Sequence, residues 1–143
     1  MNYLDEAKQR LQNYNLKCCG AESLKANIAR LEALNKITAP LSDSGEDSSF
    51  TGGLMGRDQI HNNMAFVVEL KENLITIQRQ IERIKTALNQ IDEYDRMIVE
   101  RLIINHETAD DLAAELFVTK RTVYYHRDRA LRRFALAYYG IDA

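Results

Sequence analysis

Residues 108–133, TADDLAAELFVTKRTVYYHRDRALRR, decide how this chain is read. Thr108 is placed to cap a first helix, and Asp111 three residues on supplies an acidic first turn that suits the positive end of a helix dipole. Leu112, Ala113 and Leu116 recur at helical spacing and form one apolar face. Phe117-Val118 is the expected turn. Thr119 can cap a second helix that opens on Lys120-Arg121, with Val123, Ala130 and Leu131 continuing the inward face. The small side chain of Ala113 lets two crossing helices approach closely. Lys120, Arg121, Tyr124, Tyr125, Arg127 and Asp128 point away from that face. The sequence therefore describes two crossing helices, the second with a basic and aromatic outer surface.

Charge is concentrated on that second helix. Residues 119–134 hold Lys120, Arg121, Arg127, Arg129, Arg132 and Arg133 against Asp128, a local charge of +5, and leave −7 to the rest of a chain whose total is −2. A surface that meets phosphates needs such local concentration, whatever the overall balance.

At 143 residues, 45% hydrophobic and 28% charged, the chain has ordinary composition for a soluble folded protein of one domain or two small ones. One proline and six glycines, four of these in a single segment, predict long unbroken helices. Apolar runs such as Met64–Val68 and Phe134–Tyr139 fall far short of the roughly 20 residues that span a bilayer. The opening MNYLDEAKQR lacks the apolar core of a signal peptide, so the expected location is the cytoplasm. Cys18 and Cys19 are adjacent, and His61, His106 and His126 are scattered, so no zinc-site spacing exists. The cysteines read as helix residues in a reducing compartment, with Cys18 facing inward.

Upstream, residues 2 to about 38 read as one helix with Leu4, Ala7, Leu11, Tyr14, Cys18 and Ala21 along a heptad seam. The seam shifts to Leu24, Ile28, Leu31 and Leu34 after Gly20, which predicts a local bend or a change of packing partner there. Residues 39–57, APLSDSGEDSSFTGGLMGR, carry Pro40, four glycines and four serines and read as a flexible loop. From Asp58 to Ile91 the heptad is regular. Ile60, Val67, Leu74, Ile81 and Leu88 repeat every seven residues, Leu70, Ile77, Ile84 and Ile91 fall three later, and Asn63 takes the polar slot. Such a helix is roughly 50 Å long. Asp92-Glu93-Tyr94-Asp95 can start another helix, or kink this one, before Met97, Ile98, Leu102 and Ile103; Asn105-His106-Glu107 is the loop into Thr108, and Gly140 is a C-cap. The expected fold is all-α: residues 1–91 as a long antiparallel coiled-coil hairpin, then residues 92–143 as a small trihelical helix–turn–helix domain. A two-helix hairpin covers its seam poorly, so a homodimer through residues 2–91 is expected.

Asp111-Leu112-Ala113, Leu116-Phe117-Val118-Thr119 and Thr122-Val123 follow a pattern that resembles the fourth, DNA-binding region of bacterial sigma factors. With the helix from Asp92, the likeness covers about a third of the chain. Phe117 departs from it, because glycine is common at that turn, and so does His126, where an apolar residue is usual; a half-buried histidine is expected there. The order of parts, heptad helix, loop, heptad helix and sigma-like unit, resembles phage-encoded late-operon regulators of the RinA and ArpU type. That resemblance implies a transcription regulator bound to double-stranded DNA in a bacterial host cell, with host RNA polymerase as a further partner. Lys120, Arg121, Tyr124 and Arg127 would read base edges, Arg129, Arg132 and Arg133 would grip phosphates, and Tyr125 would do either or simply pack. Asp128 would pair with Arg132 at i+4. Two other readings remain open. One is a small terminase subunit, which oligomer size would separate, and the other is a protein whose sigma-like unit contacts polymerase instead of DNA. No nucleophile has a base at an interpretable spacing, so neither catalysis nor a cofactor is expected.

Overall fold

The computed structural model describes the backbone of residues 2–43 and 50–142, and side chains within 2–36 and 62–142. It is all-α among those residues, with six helices: α1 (Tyr3–Gln12), α2 (Tyr14–Asp43), α3 (Phe50–Gln90), α4 (Glu93–Val99), α5 (Ala109–Leu116) and α6 (Lys120–Tyr139). A π-helical turn, Glu100–Ile104, extends α4. No described helix is long and apolar enough to cross a membrane.

The first heptad helix is interrupted, but not at Gly20. The break is Asn13 (φ −91°, ψ 0°), whose N–H still bonds to the Gln9 carbonyl at 3.0 Å. The asparagine side chain competes with the backbone for hydrogen bonds and lowers the cost of leaving the helix there. Gly20 sits inside α2 with open space where a Cβ would be, so nothing forces a bend at it; the seam changes packing partner instead, with Ala7 and Leu11 in one core and Ile28 and Leu31 in another with Val67 and Leu70.

The expected loop at 39–57 also needs correction. Residues 39–43 belong to α2 and 50–57 to α3; only 44–49 lie outside the described residues. Once a helix is nucleated by a packed heptad, each added residue gains a hydrogen bond, and propagation can outlast poor local propensity.

Two compact units result. Residues Cys19–Gln78 form one, where Ile28, Leu31, Val67 and Leu70 are buried, Leu24 and Leu74 pack on them, and Lys71 meets Glu32 at 2.6 Å. Here α2 and α3 lie side by side, as a hairpin requires. The residues up to Cys18, with those from Arg79 onward, form the other. Its main core joins Ala7 and Leu11 of α1, Ile84, Ala87 and Leu88 of α3, Ile91 just beyond it, Val99, Ile103 and Ile104, and Ala130, Leu131, Phe134, Ala135 and Tyr138 of α6. The 91/92 junction thus marks a change of helix within one packed unit. A second cluster, Ile98, Ala109, Leu112, Ala113 and Val123, ties α4 and α5 to the start of α6.

Candidate nucleic-acid interface

The segment 108–140 folds from local signals. Thr108 Oγ1 accepts from the Asp111 N–H and Thr119 Oγ1 from the Thr122 N–H, both at 3.2 Å, so each cap satisfies a donor the helix itself leaves free. Leu112 and Val123 are fully buried, Ala113 nearly so, and Leu116 is half-buried. Gly140 ends α6 in the left-handed region (φ 72°). The turn between α5 and α6 runs through Phe117, which adopts φ 56°, ψ 41° and is 95% exposed. A phenylalanine there accepts the backbone that glycine usually takes.

All eight candidate side chains lie on α6, but their surroundings divide them. Arg121 and Arg132 are exposed and have no partner among the described residues. Tyr125 is 65% exposed. Tyr124 is flanked by two cations, the Arg127 guanidinium 4.8 Å and the Lys120 ammonium 5.9 Å from its ring centre. Lys120 also meets Asp110 at 3.4 Å, a pair exposed enough to be readily exchanged. Arg127 is half-buried and paired with its neighbour Asp128 at 3.0 Å. The expected Asp128–Arg132 pair does not form, because Asp128 turns to the adjacent guanidinium.

Arg129 and Arg133 have a different fate. Asp95 of α4 is the one buried charged residue among the described side chains, with no exposed surface. Arg129 donates to it at 3.1 Å, Arg133 donates to its other oxygen, and Arg133 also reaches Asp92 at 2.8 Å. A carboxylate out of water demands such partners. The hydrogen bond to Asp95 and its charge hold the Arg133 guanidinium above its usual pKa. Counting Asp92, Asp95, Asp110 and Asp128 against the six basic residues leaves about +2 where the sequence alone showed +5.

Asp92 and Asp95 carry weight that periodicity did not reveal; they read as capping residues. The available signal was complementary spacing, acids at i,i+3 facing arginines at i,i+4. A similar clamp holds Arg101 of the π-helical turn, which donates to Glu107 at 2.8 Å and also to Glu115 of α5. Glu107 in turn sits below the ordinary carboxylate range, held by that hydrogen bond. His126 is half-buried, its ring edge-on to Tyr94 at 5.2 Å and to Tyr125 at 5.6 Å. Cys18 is half-buried and Cys19 exposed, both as free thiols. No group of acids, histidines and cysteines that could hold a metal occurs among the described residues. No family model, curated protein or solved structure matches this chain.

Proposed function

We propose that the chain is a double-stranded DNA-binding transcription regulator, acting without catalysis or cofactor as a homodimer through its two heptad helices. The observation that carries this reading is the first two turns of α6. Capped by Thr119 and set on α5 by the buried Val123, they turn Lys120, Arg121, Tyr124 and Tyr125 outward together. Two capped helices on a common apolar core are the frame of a helix–turn–helix, whose second helix enters the major groove by its N-terminal turns. In this reading Arg121 grips a guanine edge by two hydrogen bonds and the stacked Tyr124–Arg127 pair reads the neighbouring step, while Arg132 takes a phosphate. Arg129 and Arg133 hold α6 to α4.

Selection of duplexes from a random library with the full chain, then footprinting of the winners, tests the reading. A protected site of two half-sites about one helical turn apart, or a multiple, is expected. Binding that stays weak and sequence-blind at physiological salt would remove it. The polymerase-contact reading draws on one observation, the exposed Phe117 beside Val118, itself 37% exposed. Retention of purified polymerase by a protein that ignores naked duplexes would favour it.

A further inference from the structure

The unit Cys19–Gln78 fills its own seam from within, through Ile28, Leu31, Val67 and Leu70. A second apolar stripe on α3 is left uncovered. Met64, Val68 and Ile75 are 56%, 55% and 48% exposed. Steps of four and seven residues put the three on one helix face, roughly 120° round from the seam. The exposed Lys71, Glu72 and Arg79 border that face.

We propose that this stripe is the surface on which a second copy of the chain packs, α3 against α3, antiparallel, about a two-fold axis between Lys71 and Glu72. The proposal rests on the homodimer reading above and adds to it a face and a direction. A two-fold contact is self-complementary: if residue i meets j, then j meets i. About this axis Val68 faces Ile75 of the second copy, Met64 faces the aliphatic stem of Arg79, and Lys71 faces Glu72. Apolar meets apolar, and opposite charges meet.

The alternatives are worse on the same residues. A parallel pair sets every side chain against its own copy, so that Lys71 meets Lys71 and Arg79 meets Arg79, where like charges repel. An antiparallel pair shifted to bring Met64 over Ile75 would bring Val68 over Lys71 and remove its ammonium from water. Lys71 already donates to Glu32 at 2.6 Å within its own chain. An ammonium has three donors, so Glu72 of the second copy adds a partner without displacing that one.

The test uses the full chain with Cys18→Ala and Cys19→Ala, and adds Val68→Cys or Ile75→Cys singly. Sedimentation of the parent comes first: a dimer is expected, and a monomer at micromolar concentration would overturn the homodimer reading itself. Under mild oxidation neither single variant should link to its own copy. The seven-residue offset is about 10 Å along the axis, beyond the roughly 7 Å between Cα atoms that a disulfide spans. An equimolar mixture of the two should link into a heterodimer. A dimeric parent with self-linked Val68→Cys, or with no link in the mixture, overturns the face and direction and leaves the dimer standing. In the native-cysteine background, Val68→Lys should weaken the dimer about tenfold or more at unchanged helicity, since it sets an ammonium against Ile75. Unchanged dimer strength there also overturns the proposal. Leu74→Lys cannot serve, because Leu74 packs on the hairpin's own core.

Discussion

The two halves of α6 carry three basic residues each and behave differently. Residues 120–128 put Lys120, Arg121 and two tyrosines on the outside of a helix anchored through the buried Val123, the Thr119 cap and the half-buried His126. Residues 129–139 are buried on one side through Ala130, Leu131, Phe134, Ala135 and Tyr138, and two of their three arginines are bound to Asp95 and Asp92. The second half, with no acid of its own, is the more basic in sequence. The difference teaches that formal charge and available charge are separate quantities: a guanidinium beside a buried carboxylate has its charge offset within the fold before a phosphate arrives.

The largest effect expected from breaking this contrast is at Asp95. Asp95→Ala leaves Arg129 and Arg133 without their shared partner, and removing one member of a buried pair costs several kcal/mol. The arginines remain partly exposed, at 37% and 45%, so water recovers some of that loss, and about 2–4 kcal/mol of stability is expected. Urea denaturation measures it directly. A change below about 0.5 kcal/mol would mean that the clamp is incidental and both arginines are free to work elsewhere.

The contrast is sharpened by comparing arginines on DNA. Arg121→Ala should cost about 1–3 kcal/mol on the selected duplex and relax its sequence preference. Arg132→Ala should weaken all duplexes alike and reduce the slope of log affinity against log salt by about one. Arg129→Ala should leave that slope unchanged and lower the melting temperature instead. Titration of the three variants at several salt concentrations separates these outcomes. A slope change in Arg129→Ala as large as in Arg132→Ala would erase the distinction between the halves.

What could be read from the sequence was whatever depends on near neighbours. The caps at Thr108 and Thr119, the stop at Gly140 and the inward set Leu112, Ala113, Val123, Ala130 and Leu131 follow from spacing within a few residues. The heptads of α3 likewise bury Val67, Leu70, Ile81, Ile84 and Leu88, and the repeat carries on to the buried Ile91 just past its end. Features set across the fold were not legible. Arg129 and Arg133 face Asp95 only because α4 packs on α6. The π-helical turn, closed by the Asn105 N–H on the Glu100 carbonyl at 2.8 Å, has no periodic signature at all. Composition misjudged residues 39–43 and 50–57 in a third way, since serine and glycine content measures local preference and not what a growing helix imposes.

The smallest effect tests the turn that separates α5 from the exposed half of α6. Phe117 holds a left-handed backbone that costs a residue with a Cβ about 1–2 kcal/mol. At 95% exposure its ring returns nothing to the fold by burial. Phe117→Gly removes the strain but adds roughly 0.5–1 kcal/mol of backbone entropy to the unfolded chain. The relief of strain outweighs that entropy, so a net gain of about 0.5–1 kcal/mol is expected in urea denaturation. His106 offers a control. It too has positive φ, 57°, and is exposed, in the loop ahead of α5, so His106→Gly should gain a similar amount. Stabilisation at His106 with destabilisation at Phe117 would show that the aromatic ring contributes contacts in solution that its exposure conceals. Equal gains with unchanged duplex affinity would show that the turn only connects, and that reading is left to α6.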